Sequence, residues 1–447
     1  MEAVTTGGAH PLGGGAGDEA VRALPPPPAP APALATGNAV ELFLGQALHW
    51  RKPTDASVAQ SLDGIAELAS CGAWHAVAKL AERLLPTAHP ELALALRQHR
   101  ITALLRVRNY RAASDELAAL GDLDAPALSY EAHAELYPGR HGTMVPFGLR
   151  VVQSQAPHFV NDSPRALNAL LLLAARCADA AREHERERER AARAGAAGVP
   201  PPPPHLNSLA LEANGAAARV ALANLYIARR EYQLAVSELE ALAAFAPSVG
   251  GAAHEAGLPD GARGGERRPA PRAPSGATAP GSRTLDAPLS LVGRLHLQMG
   301  DLAAAEEAFG RLEATLASAE TDAGARANRG LLAMGHGEYE RASTEFDAAL
   351  ALEPNCCVAV NNRAVCELHL SHIGLAIAGL EDFVRADPVG HLDPTLVANL
   401  AAMYELHSDS AAAMRRTLER LVALVGADDF DVQLQPRASA TVALPAA

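Results

Sequence analysis

The chain has 447 residues, enough for two or three ordinary domains or one long solenoid. Aromatics make up only 4 % of it while Ala and Leu abound, which suits stacked small-residue helices and is poor for sheets. A formal net charge of −13 and the lack of a broad basic face argue against nucleic acid as a partner, because phosphate binding leans on clustered Lys and Arg.

Residues 1–38 are rich in Gly, Pro and Ala, cannot bury a core and are expected to be disordered. They hold no charged stretch followed by an apolar run, so no secretory signal is expected. Helical apolar spacing begins near Val40, and residues 40–125 read as repeat-like helical hairpins. Within them 58–85 and 94–120 each break once, at Ser70-Cys71-Gly72 and Val107-Arg108-Asn109, and each break is followed by an aromatic, Trp74 or Tyr110.

Residues 126–181 form a loop and a helix. Between 130 and 152 the pattern fails, because Tyr137-Pro138-Gly139 and Val145-Pro146 forbid a continuous helix. Helix resumes at Pro164, with Ser163 as the expected cap. It runs into a charged extension and proline linker at 182–206, where alternating Glu and Arg from Glu183 to Arg190 allow i,i+3 and i,i+4 pairs on a solvated face. The apolar stretch Leu170–Ala175 is far too short to span a bilayer, so a soluble cytosolic chain without direct membrane insertion is expected.

A helical repeat at 207–247 is followed by a low-complexity insert at 248–285, three repeats across 286–390, a degenerate capping repeat at 391–430 and a disordered tail at 431–447. The repeats carry the decisive signal. Asn328 aligns with Asn362, Ala342 with Ala376 and Pro354 with Pro388, each pair 34 residues apart. That is the tetratricopeptide period. Small side chains recur where helices must touch: Gly293, Gly330 and Ala364 in the first helices, Ala305, Ala342 and Ala376 in the second. Phe346 fills a hairpin core, and Pro354 and Pro388 stop their helices. The expected fold is an all-α, tetratricopeptide-repeat right-handed α-solenoid with a disordered N-terminus and low-complexity inserts.

Motifs for chemistry are missing: no GxGxxG after a strand, no phosphate loop, no HExxH and no GxSxG. The cysteines Cys71, Cys177, Cys356, Cys357 and Cys366 have no CxxC spacing and are expected to be free and mostly buried. His369 and His372 read as a surface or turn pair, and Glu381-Asp382 as a solvated acidic pair. No enzyme activity, cofactor or metal is expected. The inner faces of the C-terminal first helices offer apolar Ala327, Leu331, Met334, Val358, Val365 and Leu368, with Asn361 as the polar contributor. Such a groove suits a hydrophobic helix or another subunit, with simple core packing an equal alternative. It lacks the Lys, Asn and Arg with which co-chaperones of this class grip a C-terminal carboxylate.

Three stretches resemble the subunit-twelve family of the trafficking protein particle (TRAPP) complex, a tetratricopeptide family. They are YPGRHGTMVPFGLRV (Tyr137–Val151), VAVNNRAVCELHL (Val358–Leu370) and LVANLAAMYELHSD (Leu396–Asp409). The resemblance implies a non-catalytic scaffold subunit in a vesicle-tethering assembly that is also an exchange factor for a Rab-family GTPase. It would work in endoplasmic reticulum-to-Golgi traffic, with autophagy as a further setting, peripheral at the early Golgi. Its implied partners are the large arm subunits and the small-subunit core. Tyr137, Pro138, Gly139, Arg140, Met144, Val145, Pro146 and Phe147 are then the expected docking loop, with Asn361 on the repeats. The competing reading is a tetratricopeptide adaptor or co-chaperone outside trafficking.

Overall fold

The computed structural model describes residues 52–196, 208–245, 284–407 and 411–430. The expectations for 1–38, the 200–204 proline linker, most of the 248–285 insert and the 431–447 tail lie outside these residues.

Among the described residues eight helical hairpins follow one another: α1 (Leu62–Ser70) with α2 (Trp74–Leu84), α3 (Pro90–Arg106) with α4 (Tyr110–Leu120), α5 (Phe147–Phe159) with α6 (Ser163–Ala196), and α7 (Ser208–Ala228) with α8 (Tyr232–Phe245). The remaining four are α9 (Pro288–Met299) with α10 (Leu302–Glu313), α11 (Ala323–Gly335) with α12 (Tyr339–Leu352), α13 (Cys357–His369) with α14 (Ile373–Ala386), and α15 (Pro394–His407) with α16 (Ala411–Val425). Helices adjacent in sequence pack together, and first helices also touch the first helix of the next hairpin, as α9 does α11, α11 does α13 and α13 does α15. The buried residues accordingly form a succession of clusters along the stack, each spanning neighbouring hairpins. Among the described residues the β content is one antiparallel bridge, Ser129 to Thr143. The chain is an all-α tetratricopeptide solenoid.

One turn is used seven times. The residue before the cap of the first seven second helices is left-handed: Gly72, Arg108, Asn161, Arg230, Gly300, Gly337 and Ser371, with φ between 61° and 80°. The following N–H donates to the carbonyl five residues back, as Glu338 does to Ala333 at 2.9 Å and His372 to Glu367 at 2.8 Å. This bond satisfies a carbonyl that the ended helix leaves free. Three residues into each of these seven second helices stands a buried small or β-branched side chain: Val77, Ala113, Ala166, Ala235, Ala305, Ala342 and Ala376. The N-terminal hairpins therefore share the register of the C-terminal ones, although their sequences show it weakly.

Two sequence expectations change. Helix α5 begins inside the stretch read as helix-breaking, because Pro146 takes the N-cap position and its fixed φ suits a helix start. Ser163 is not the cap of α6 but its first residue; the carboxylate of Asp162 accepts the Arg165 N–H at 3.2 Å.

Candidate functional site

The repeat-packing residues come first, because they set the surface that remains. A Cβ on Gly330 would fall 2.6 Å from the Phe346 ring, and one on Gly293 would fall 2.3 Å from Phe309. Each pair is sixteen residues apart, and so are Ala364 and Leu380, which share one buried cluster. Side-chain volume is thus exchanged across the hairpin: Gly faces Phe, and Ala faces Leu. Ala305, Ala342 and Ala376 are buried beside them. Pro354 and Pro388 stand two residues past the ends of α12 and α14.

The inner face is less open than its composition promised. Ala327 is fully buried, Leu331, Met334 and Val358 pack against the α11–α13 core, and Leu368 packs against the next cluster. Asn361 is also buried, and its side-chain oxygen accepts from Asn399 at 2.9 Å, so it ties α13 to α15. Ser290 donates to Asn328 at 3.0 Å in the same manner between α9 and α11. These amides hold successive first helices in register, a role that period and composition alone did not reveal.

The 129–143 loop is a built structure. Its base is closed by Tyr130 N–H to Gly142 and Met144 N–H to Leu128, both 2.9 Å. Met144 and Val145 then enter the core beside Leu94, Ile101 and Leu149. The loop's other side is fastened to the start of α3 through Glu91. Arg140 reaches both Glu91 oxygens, at 2.8 and 3.2 Å, and Tyr130 donates its hydroxyl to the same carboxylate at 2.8 Å. The Tyr137 hydroxyl accepts the Glu91 N–H at 3.2 Å and lies 2.7 Å from His89 Nδ1. Arg140 also sits 4.2 Å over the Tyr130 ring. Burial, then the bond to Glu91, pushes the Tyr130 hydroxyl up to about 12. Of the predicted docking residues, Pro138, Gly139 and Arg140 are exposed, alongside Leu136 at 60 %. Tyr137, Pro146 and Phe147 are half-buried, and Met144 and Val145 are core rather than surface. Sequence reading missed His89, Glu91 and Tyr130, since nothing local links them to a loop some forty residues on.

Some of the remaining polar groups serve packing and others face solvent. His369 stacks on Tyr339 at 4.1 Å, while His372 lies 2.9 Å from Glu367. Glu381 was expected in solvent; instead it accepts the Tyr404 hydroxyl at 2.8 Å, while Asp382 is exposed. Burial raises the thiols of Cys71, Cys177, Cys356, Cys357 and Cys366, with Cys357 pushed up to about 12 and Cys366 to about 11, so each stays protonated at neutral pH. Among the described residues no three of His, Cys, Asp and Glu converge to hold a metal ion, and no helix is long and apolar enough to cross a membrane.

The chain is similar to trafficking protein particle complex subunit 12 of Mus musculus, 27 % identical over 402 residues, covering 84 % of this chain and 44 % of that protein. It is likewise similar to the Homo sapiens subunit 12, at 26 % over 402 residues, with 84 % and 48 % covered. The chain thus spans about half the length of the curated relatives it matches. No family model matches it. Among solved structures, a tetratricopeptide repeat protein from Parabacteroides merdae is 13 % identical with a TM-score of 0.36, covering 76 % of this chain and 99 % of that one.

Proposed function

We propose that this chain is a non-catalytic scaffold subunit of the TRAPP vesicle-tethering and Rab exchange-factor assembly. Its setting is endoplasmic reticulum-to-Golgi transport, with autophagy as a further one, and its place is cytoplasmic, peripheral at the early Golgi and the intermediate compartment. The observation that carries this reading is the likeness to mouse and human subunit 12 along 84 % of the chain. The structure supports it in kind. Most of the polar side chains described above hold helices together, and what remains outward is an extended helical surface with one hydrogen-bonded loop. Such a surface binds other proteins and leaves chemistry to them.

On this reading the exposed edge of the loop, Leu136 with Pro138 to Arg140, meets a large arm subunit, and the small-subunit core performs nucleotide exchange. Affinity purification of the tagged chain from its native cell tests it. Co-purification of the TRAPP core and large subunits is the expected result; a chaperone or ligase recovered in their place would overturn it. Leu136→Glu should lower recovery of the arm subunits while leaving the circular dichroism of the purified chain unchanged.

A further inference from the structure

Helix α2 lacks a cap of its own. At the equivalent position Asn109 caps α4, Asp162 caps α6 and Asp301 caps α10, each accepting a backbone N–H, whereas Glu338 and His372 make no such bond before α12 and α14. Before α2 the residue is Ala73, which has no side-chain acceptor to give. Yet the acceptor is present. It comes from Asp428, just past α16 at the other end of the stack, whose Oδ2 accepts the His75 N–H at 2.8 Å. Asp428 Oδ1 pairs with Lys52 Nζ at 2.8 Å, and the Asp428 N–H donates to the Gly72 carbonyl at 2.8 Å. Next to it Arg106, at the end of α3, pairs with Asp429 at 3.3 Å.

The backbone fit is as specific as the charges. A Cβ on Gly72 would lie 2.4 Å from the Cβ of Ala427, and Gly72 is left-handed at φ +65°. Only glycine satisfies both demands. Phe430 packs into the cluster of the last two hairpins, which anchors the tip on its own side. Asp428 and Lys52 keep only 16 % and 19 % of their side chains exposed, so this pair is shielded from the solvent that weakens ordinary surface pairs.

We propose that residues 427–430 are a clasp that joins the last described hairpin to the first by capping α2 across 353 residues of chain. Closure fixes the curvature of the stack. The clasp is a property of this chain alone and stands independently of the assembly proposed above.

Zero-length carbodiimide coupling of the full chain tests it, because that reagent joins only amines and carboxylates already in contact. A Lys52–Asp428 linked peptide is expected in the monomer band. Hydrogen exchange supplies the second arm. Asp428→Ala should speed exchange at the His75 amide by about tenfold, the effect of losing one hydrogen bond to a charged group. Gly72→Val should do the same without touching a charge. Asp428→Asn should abolish the linked peptide and keep much of the amide protection, since Asn also caps helices. Exchange across 357–386 should not change in any of them. Failure to find the link in monomer, its appearance only between two copies, or unchanged His75 exchange in both Asp428→Ala and Gly72→Val would overturn the clasp.

Discussion

The ring of Phe346 lies against the Cα of Gly330, and the same contact recurs between Phe309 and Gly293. Where the glycine becomes Ala364, the opposing side chain shrinks to Leu380. Size on one helix is therefore matched by size on its partner. Gly330→Ala should destabilise the chain by about 1–3 kcal/mol, since the fully buried ring cannot retreat. Adding Phe346→Leu should restore part of that loss by rebuilding the Ala–Leu pairing found one hairpin later, and urea unfolding of the single and double variants measures both. Tyr130 offers a second residue-scale outcome. Its hydroxyl is raised to about 12, so its protonated form is favoured by folding. That stabilisation is complete below an unfolded pKa of about 10 and is lost as pH rises toward about 12. Burial raises the Tyr226 and Tyr404 hydroxyls as well, so ultraviolet titration should show several tyrosines ionising late, and Tyr130→Phe should lower the late amplitude by one.

At the scale of the element, seven turns share one geometry but not one residue. Gly fills the left-handed position three times and Arg108, Asn161, Arg230 and Ser371 fill it four times. The turn is dictated by the carbonyls it must satisfy, and the non-glycine residues bear the steric cost. Ser371→Gly should consequently stabilise the chain by about 1 kcal/mol, visible as a higher melting temperature. The YPGR loop shows the same logic with side chains. Tyr137→Phe keeps the ring stacked edge-on against Tyr130 at 5.3 Å but removes the hydroxyl that binds the start of α3. Limited proteolysis within 131–143 should quicken, with far-ultraviolet circular dichroism unchanged. The Tyr-Pro-Gly string predicted a loop, yet the loop is fastened through Glu91, which sits on a helix with no sequence mark of that duty.

At the scale of the whole molecule, a linear stack and a closed one respond differently to damage. In a linear stack a hairpin is protected only by its neighbours, so the two ends fray independently. Ile65 is fully buried in the first hairpin cluster, and Ile65→Ala should cost about 2–5 kcal/mol there. With the clasp in place, hydrogen exchange should also quicken at 427–430, more than three hundred residues away, while the α9–α12 hairpins stay protected. Exchange at the tip that ignores Ile65→Ala would mark the ends as uncoupled.

The sequence alone determined that helices form and in which period they stack. Helix formation and hairpin turning are local: they need a small residue at a contact, a glycine or proline at an end, and apolar spacing of 3.6, all of which lie within a few positions of one another. Pro354 and Pro388 and the alanines at 342 and 376 carried that much. Tertiary structure decided where the leftover polar groups went. Asn361 turned inward to Asn399, Met144 and Val145 became core, Glu91 became the anchor of a loop, and Asp428 became the cap of a helix 353 residues upstream. A hydrogen-bond partner is chosen by proximity in space, and for groups brought together by the curvature of a whole stack, no nearby stretch of sequence records the choice.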